Sequence, residues 1–215
     1  MLDRFGLSAI CAVFLLVSVL GCASRSPYWQ GSERLKQGDY KAAVKALTQA
    51  LEKDPANFGA LLNRGVAYEN LNELDKSLQD YSRAVKLVPN FGRAYHYRGH
   101  IHSKMQKYER AIEDYNQALS HLKDVQIDAQ GVVISTDEST VCYDRGNAHV
   151  MLQQYPLAIE SYDRAITINA GFATAYNNRG VAYSEMQNPE AACRDRSKAC
   201  ELNYAPACTW VREHC

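Results

Sequence analysis

Asn178-Arg179-Gly180-Val181-Ala182-Tyr183 is the stretch that decides the fold, because the chain repeats it at a fixed spacing. Asn63-Arg64-Gly65-Val66-Ala67-Tyr68 is almost the same string, and looser copies begin at Tyr97 and at Asp144. The glycines of this series are separated by 34, 34, 47 and 34 residues, and they are Gly31, Gly65, Gly99, Gly146 and Gly180. An alanine series shows the same four separations, and its members are Ala50, Ala84, Ala118, Ala165 and Ala199. Two landmarks with one period predict a 34-residue structural repeat, with a 13-residue insert between the third and fourth copies.

The small residues indicate what each repeat contains. Gly and Ala recurring at one helical phase mark places where two helix backbones approach too closely for a side chain. Tyr81, Tyr115 and Tyr162 each precede an alanine of the series by three residues, so they lie on the same helix face. A unit of two such helices cannot bury its apolar face alone and must stack on its neighbours. The sequence therefore predicts an all-α fold built from stacked helix hairpins.

This pattern resembles the tetratricopeptide repeat (TPR), which carries Gly, Ala, aromatic and Pro residues at fixed positions. Pro55 and Pro89 stand at the proline position of the family, and a further alanine position is matched by Ala43, Ala111, Ala158 and Ala192. The resemblance covers about residues 24–206 and implies a right-handed α-solenoid of about five TPR helix hairpins. The predicted repeats span 24–57, 58–91, 92–125, 139–172 and 173–206, and a last helix from Pro206 to Cys215 is expected to cap the array. For function, the resemblance implies binding of a protein or peptide.

The N-terminus has the features of an export leader. An apolar run from Phe5 to Leu20 follows Arg4, and it is shorter than the roughly 20 residues that a spanning helix needs. The ending Val19-Leu20-Gly21-Cys22 resembles a bacterial lipobox, in which the leader is cleaved before the cysteine and the cysteine is acylated. This resemblance implies a signal peptide at 1–21, lipidation with palmitate at Cys22, and a tether at 22–27. An ordinary secretory leader that is cut nearby is the alternative.

The residues after Cys22 bear on the location. Ala23 and Ser24 follow it, and there is no Asp at the next position. For the lipoproteins that the lipobox resembles, this implies the periplasmic face of the outer membrane. We therefore expect a lipid-anchored protein of the bacterial cell envelope, with one TPR solenoid domain over 28–215 and an inserted loop at about 124–138.

Four cysteines crowd the C-terminal end, and export would permit disulfides there. Cys193 and Cys200 lie seven residues apart on one predicted helix, and Cys208 and Cys215 repeat that interval after a short break. Facing residues of an antiparallel helix hairpin have a constant index sum, which predicts the pairs Cys200–Cys208 and Cys193–Cys215. This end also resembles the cysteine-rich Sel1-like repeats of secreted bacterial proteins, where such an eight-residue spacing is bridged. A four-cysteine zinc site is the alternative, and the seven-residue spacing disfavours it.

The concave groove of a TPR stack is lined by the first helix of each repeat. Carrying the groove positions of the family to this chain gives Tyr28, Trp29, Asn63, Glu69, Arg93, His96, Tyr97, His100, Lys104, Tyr143, Asp144, Asn147, Asn177 and Asn178. The resemblance implies that the asparagines bond to the main chain of a ligand. The central part, from Arg93 to Lys104, is cationic and aromatic, which suits an acidic or C-terminal segment. The lysine and asparagine of the family's carboxylate clamp are absent from the first repeat, and a solvated polar face without a single ligand is the alternative.

No constellation for catalysis or a cofactor appears, and we predict a protein that is not an enzyme. His96 and His100 have the spacing of helical zinc ligands, but a third ligand from Asp144 or Asn147 is only inferred, and we predict no metal. His102 and His149 fall at a packing-tyrosine position, and Cys142 falls at a buried one, so all three are expected to be structural. Lys plus Arg equals Asp plus Glu at 24 each, which gives no basic excess for nucleic-acid binding.

Three classes of function stay open at this point. The first is a lipid-anchored scaffold that holds a protein or peptide within an envelope assembly complex. The second is a Sel1-like protein that binds a small cell-wall ligand. The third is a structural protein that forms homo-oligomers through its apolar edges and through the insert, whose Val132 to Ile134 favour a β-hairpin or extended flap.

Overall fold

The computed structural model describes residues 26–122 and 137–215, which form two compact units that divide between Leu87 and Val88. The first unit contains four helices, α1 Pro27–Lys36, α2 Tyr40–Lys53, α3 Phe58–Asn70 and α4 Leu74–Leu87. The second contains seven, α5 Gly92–Lys104, α6 Tyr108–Ser120, α7 Glu138–Met151, α8 Tyr155–Ile168, α9 Ala173–Glu185, α10 Pro189–Glu201 and α11 Ala205–His214. These two ranges contain no β-strand. The all-α fold of helix hairpins that the sequence predicts is confirmed.

Each repeat is one hairpin of two antiparallel helices. Within unit one, α1 packs on α2, α3 on α4, and α2 on α3; within unit two the same order holds from α5 to α10, and α11 packs on α10. Helix α11 is the predicted capping helix, and it begins at Ala205 rather than Pro206. Residues 22–25 of the predicted tether at 22–27 lie outside the described residues, and Ser26 and Pro27 already cap and begin α1. Of the predicted insert at about 124–138, residues 124–136 lie outside the described residues, and Asp137 and Glu138 cap and begin α7.

Side-chain caps begin several of the helices. The Asn57 Oδ1 accepts a hydrogen bond of 2.9 Å from the backbone N–H of Ala60, and Asn188 makes the equivalent bond to Ala191 at 3.1 Å. Asp39 accepts from Ala42 in the same way. Such caps satisfy backbone donors that the first helical turn leaves free. They fix where each hairpin helix starts.

The glycine and alanine series occupy the interior, as the spacing predicts. All five alanines of the series are buried. In three of the repeats the glycine makes room for an aromatic ring, rather than for the close approach of two helix backbones that the sequence predicts. A methyl group on Gly65 would lie 2.5 Å from the ring of Tyr81, and Gly99 and Gly146 face Tyr115 and Tyr162 in the same way. Each of these glycines leaves the space that the aromatic ring of the second helix occupies.

The other two repeats vary this contact. Gly31 faces the side chain of Leu47, and Gly180 faces the aliphatic part of Arg196 as well as the backbone oxygen of Ala192. The guanidinium of Arg196 lies 3.7 Å from the ring centre of Trp210 on α11. A cation over an indole face is an attractive arrangement, so the capping helix covers the one charged side chain that occupies this interior position.

Candidate partner-binding surface

All the predicted groove residues lie on the first helices of the repeats. In unit one these are Tyr28 and Trp29 on α1, with Asn63 and Glu69 on α3. In unit two they are Arg93, His96, Tyr97, His100 and Lys104 on α5, Tyr143, Asp144 and Asn147 on α7, and Asn177 and Asn178 on α9. Helix α5 contacts α7, and α7 contacts α9. We call the groove positions of α5, α7 and α9 the first-helix surface of unit two.

In unit one the candidate asparagine bonds to its own chain. The Asn63 Nδ2 donates to the Ser32 Oγ at 2.8 Å, and the Ser32 hydroxyl donates to the backbone oxygen of Tyr28. The Tyr28 ring lies over Gly59, where a methyl group would be 2.8 Å from the phenol oxygen. Trp29 is 48% exposed, and among residues 26–87 it is the largest apolar side chain that faces solvent.

In unit two, hydrogen bonds join α7, α8 and α9. The Asn178 Nδ2 donates to the Asn147 Oδ1 at 2.9 Å and to the Tyr143 hydroxyl at 3.1 Å. The hydroxyl of Tyr162, a buried tyrosine of α8, donates to the same Asn147 Oδ1 at 2.7 Å. Asn177 donates to the Asn178 Oδ1 at 3.1 Å. Burial raises the pKa of Tyr162, so this hydroxyl keeps its proton and remains a donor.

The contact between α5 and α7 uses ionisable side chains at the equivalent repeat positions. The His96 Nε2 lies 2.8 Å from the Asp144 Oδ2, and the two side chains are 15% and 18% exposed. The rings of Tyr97 and Tyr115 flank the imidazole, with centroids 6.2 and 5.9 Å away. No group of three metal-ligating side chains comes together among residues 26–122 and 137–215. His96 therefore pairs with a carboxylate across two repeats.

Helix α5 gives one end of this surface a positive character. Its sequence contains Arg93, Arg98 and Lys104 and three histidines, and no carboxylate. Arg98 turns away, because it makes two hydrogen bonds to Asp114 on α6, at 2.9 and 2.6 Å, and the buried His102 lies 3.8 Å from the same carboxylate. The opposite end, on α9, presents the neutral amide of Asn177. The surface thus changes from cationic and aromatic to neutral and polar between α5 and α9.

A series of arginines, which was not predicted from the sequence, joins the helices of the repeats. Arg64, Arg98 and Arg179 each form two hydrogen bonds to an aspartate 16 residues later, at Asp80, Asp114 and Asp195. The hydrogen bond to Asp80 raises the pKa of Arg64. The sequence contains a pattern that could have predicted these arginines, because each one directly precedes a glycine of the 34-residue series.

The fourth repeat departs from this arginine series. Arg145 meets the hydroxyl of Ser161 at 3.1 Å where the other repeats have a carboxylate. It also donates to the Asn116 Oδ1 of the preceding repeat at 2.9 Å. Arg64 and Arg179 also donate hydrogen bonds to the preceding repeat, to Thr48 and Asp163 respectively. Each of these three arginines extends from a first helix and bonds to the second helices of its own repeat and of the preceding repeat.

The residues that were expected to be structural are buried. His102 and His149 are 8% and 9% exposed, and burial lowers the pKa of both imidazoles. The Nδ1 of His149 lies 2.8 Å from the Gln154 Oε1. Cys142 is fully buried, and burial raises the pKa of its thiol, which keeps the thiol protonated and unreactive.

Two disulfide bridges join α10 to the C-terminal end of the chain. They are Cys193–Cys215 and Cys200–Cys208, the pairs that the sequence predicts. Only Ala207 of α11 is buried, so this helix has little apolar contact of its own. The bridges and the contact between Arg196 and Trp210 hold it in place. Cys22 and the signal peptide lie outside the described residues, and no helix among those described is long and apolar enough to cross a bilayer.

Comparison with protein families now identifies the repeats. Models described as tetratricopeptide repeat or TPR repeat match residues 28–90, 92–124, 146–187 and 173–206. These segments are tetratricopeptide repeats. Three of the segments follow the helix hairpins, whereas 146–187 begins within α7 and ends after α9. The TPR identity predicted from the glycine and alanine series is confirmed. The aspartate and arginine pairs described above lie inside these TPR segments.

Curated relatives share the TPR region with this chain. Hsp70-Hsp90 organizing protein 1 of Glycine max is 32% identical over 92 residues, which are 43% of this chain and 16% of that protein. A DnaJ homolog subfamily C member 7 homolog of Dictyostelium discoideum is 35% identical over 95 residues, 42% of this chain and 18% of that protein. The shared region spans less than a fifth of the length of either relative.

Solved structures of MamA share the fold. A crystal structure of MamA superposes with a TM-score of 0.70 at 24% identity and covers 82% of this chain and 96% of that one. MamA 41-end from Desulfovibrio magneticus RS-1 gives a TM-score of 0.71 at 17% identity, with coverages of 81% and 92%. At these identities the likeness establishes a TPR fold.

Proposed function

We propose that this TPR protein is a scaffold that holds a protein or peptide partner on the first-helix surface of unit two, without catalysis. The observation that carries the proposal is the chemistry of that surface. Cations and aromatic rings from α5 adjoin amides from α7 and α9 on helices that contact each other. Side chains of this kind present donors, acceptors and flat apolar area, which suit an extended polypeptide. One of the curated relatives is named as an organizing protein of Hsp70 and Hsp90, which supports partner capture.

We further propose that the protein is lipid-anchored at Cys22 and works on the periplasmic face of the outer membrane, within an envelope assembly complex. The apolar leader and the lipobox-like ending support this. Two disulfides in the folded part also suit an oxidising compartment, because disulfides persist there and are rare in the cytosol. Two alternatives accompany this proposal. The bridged C-terminal end supports a Sel1-like protein for a small cell-wall ligand, and the exposed Met151, Leu157 and Met186 support a homo-oligomer.

Photo-crosslinking in a native host tests the scaffold proposal. A photoreactive residue replaces Tyr97 on α5, and a matched control carries it at Glu113, an exposed position on the second helix α6. We expect the probe at position 97 to capture one defined envelope protein and the probe at 113 to capture none. Capture of only this chain would support the homo-oligomer, and equal capture from both positions would contradict the proposed surface.

A lipid-labelling experiment tests the anchor separately. Cells that express the wild-type chain and the Cys22→Ser variant are grown with radioactive palmitate. We expect label on the wild-type protein in the membrane fraction and neither label nor membrane association for the variant. A wild-type protein that is exported without label would show an ordinary secretory leader instead.

A further inference from the structure

Arg196 stands where the third and fourth repeats have a tyrosine. Tyr115 and Tyr162 each follow the glycine of their repeat by 16 residues, and Arg196 follows Gly180 by the same interval. The aliphatic part of the arginine fills the space beside this glycine, where a methyl group would lie 2.9 Å from the Arg196 Cγ. The residue is only 8% exposed. A charged side chain therefore takes an interior place that is aromatic in the two preceding repeats.

This buried cation has no partner in the described part of the chain. Arg196 makes neither a hydrogen bond nor an ion pair among residues 26–122 and 137–215, and its Nε is buried without an acceptor. No other lysine or arginine of those two ranges is buried. The adjacent carboxylate, Asp195, uses both of its oxygens for Arg179, at 2.6 Å each. The nearest carboxylate in the sequence is therefore already occupied.

Buried arginines are normally paired, because an unpaired charge gives up its hydration without compensation. Three half-buried arginines follow this rule with two hydrogen bonds each to an aspartate, and they are Arg64, Arg98 and Arg179. The hydrogen bond to its aspartate raises the pKa of Arg98, whereas burial lowers the pKa of Arg196. Arg196 still keeps its proton, since the ordinary value of about 12.5 lies far above neutral pH. Arg196 is thus a cation without the carboxylate that its counterparts have within the described residues.

Trp210 and the two disulfides fix the position of this cation. The centre of the indole ring lies 3.7 Å from the guanidinium carbon. The ring attracts a cation but has no oxygen that could accept from its N–H groups. The bridged Cys193 and Cys200 stand three residues before and four residues after Arg196, so α11 is fastened to α10 on both sides of it. The guanidinium is therefore held in place while its hydrogen-bond donors remain to be satisfied.

We propose that Arg196 is the binding site for the carboxylate of a ligand, at the contact of α9, α10 and α11. The guanidinium is a planar fork whose parallel N–H groups match the two oxygens of a carboxylate. A single cation suits a monoanion better than a phosphate monoester, which is largely a dianion at neutral pH. Arg196 is not a residue of the first-helix surface of unit two. The site therefore goes beyond the proposed scaffold function and does not depend on it.

Titration of the full, oxidised, isotope-labelled chain with sodium acetate tests the site by NMR. The reporters are the Arg196 Nε–H and the Trp210 indole N–H, and the exposed Arg212 and Trp29 are internal controls. We expect saturable shifts at Arg196 and Trp210. The dissociation constant at Arg196 should be at least about tenfold lower than at Arg212, because burial strengthens a charged pair. Sodium chloride at the same ionic strength should leave the Arg196 signal unchanged.

Matched variants separate this site from a general effect of salt. Acetate at about ten times the dissociation constant should raise the melting temperature of the wild type by about 3 °C over chloride. Arg196→Tyr introduces the residue of the preceding repeats and should abolish this difference. Arg196→Lys keeps the charge without the fork, and it should weaken acetate binding by about tenfold. Arg212→Gln is the control and should keep the full difference.

Two further anions show which chemistry the site takes. N-acetylglycine resembles the end of a polypeptide, so tighter binding of it than of acetate would assign such an end. Equal binding would assign a free small acid, and both results support a carboxylate site. Phosphate that binds at Arg196 more tightly than acetate would overturn the choice of carboxylate.

The wild-type titration decides the matter even if Arg196→Tyr does not fold. Shifts at Arg196 that do not saturate, or that match those at Arg212, would overturn the site. Such a result would leave the scaffold proposal intact, because the photo-crosslinking experiment at Tyr97 tests that proposal independently.

Discussion

At the scale of single residues, each repeat is locked by contacts between a residue of its first helix and the residue 16 positions later on its second. Gly65 with Tyr81 and Arg64 with Asp80 are adjacent examples, and unit two repeats both. The glycine leaves room for the ring of the second helix, and the arginine beside it on the first helix bonds to an aspartate of the second. Apolar packing and a paired charge therefore fix one helix register together.

Replacing Gly65 by alanine tests the packing of the Tyr81 ring against this glycine. Alanine favours a helix by about 1 kcal/mol over glycine, but its methyl group would lie 2.5 Å from the buried Tyr81 ring. Overpacking of this kind costs about 1–3 kcal/mol, so we expect a net loss of about 1 kcal/mol in the free energy of unfolding. The measurement is the urea midpoint, with Gly171→Ala as the control, because nothing lies closer than 3.4 Å to that position. Equal midpoints for both variants would show that the ring moves aside freely.

His149 predicts how stability changes with pH. Its pKa in the folded chain is lowered by burial, whereas the unfolded chain takes up the proton near the ordinary value of about 6.5. The unfolded state therefore binds more protons below that pH, and this histidine makes the protein less stable as pH falls from 7 to 5. One such group contributes a slope of at most about 1.4 kcal/mol per pH unit.

His149→Tyr removes this proton uptake, and Tyr68 and Tyr183 stand at the same repeat position. We expect the variant to lose less stability between pH 7 and pH 5 than the wild type does. Urea midpoints at the two pH values measure the difference. An unchanged slope for His149→Tyr would mean that the native imidazole is protonated as readily as the unfolded one.

At the scale of elements, the turn inside each hairpin has one residue in the left-handed backbone region. Gly38 holds this place in the first repeat with φ of 76°, and Asn72, Gln106, Gln153 and Gln187 hold it in the others with φ of 58–60°. Only glycine adopts this region without strain. The sequence therefore indicates this turn in the first repeat, where the residue is Gly38, and not in the other four. The four amide residues take this conformation because the helices on both sides are fixed by packing.

Gln106→Gly tests how much strain this turn holds. Relief of the left-handed conformation is worth about 1–2 kcal/mol, and the added freedom of glycine in the unfolded chain offsets about half of that. We expect the variant to be more stable by about 0.5–1 kcal/mol, measured as a higher urea midpoint. Gln117→Gly on the exposed face of α6 should instead be less stable, since its φ is helical. A loss of stability in Gln106→Gly would show that the side chain contributes more than the backbone strain costs.

The C-terminal hairpin is predicted to depend on its two bridges. The Cys193–Cys215 bridge closes 22 residues and the Cys200–Cys208 bridge closes 8. Loop-closure entropy assigns them about 3.4 and 2.5 kcal/mol. Paired alanine variants should follow that order in urea midpoint under oxidising conditions, and all should coincide with reduced wild type as reductant is added. Free thiols at these four positions in protein purified without reductant would contradict the bridges.

The sequence predicted some of these features because their chemistry allows few alternatives. A glycine series and an alanine series with one period leave little besides stacked hairpins, and the cysteine intervals define one pairing of an antiparallel hairpin. The network of Asn147, Asn177 and Asn178 was beyond prediction. Its side chains come from different repeats, and an amide can donate or accept, so the partners depend on how the helices stack. The arginine pairs were missed because each member alone looks like an exposed charge.

At the scale of the whole molecule, the TPR hairpins form two compact units, and each presents its own set of first-helix side chains. Unit one offers the exposed Trp29, and unit two offers the cationic helix α5 with the amides of α7 and α9. Each arginine pair joins a first helix to the second helix of the same repeat and keeps that hairpin closed. Because the paired side chains are not among the proposed partner-binding residues, substitutions in the pairs should lower stability more than they weaken binding.

Hydrogen–deuterium exchange on the full chain, with and without the partner captured through position 97, tests the proposed first-helix surface. We expect slower exchange on binding in α5, α7 and α9, with α6, α8 and α10 unchanged. Slower exchange in the second helices alone, or no change in any of the six, would contradict a partner site on the first-helix surface of unit two.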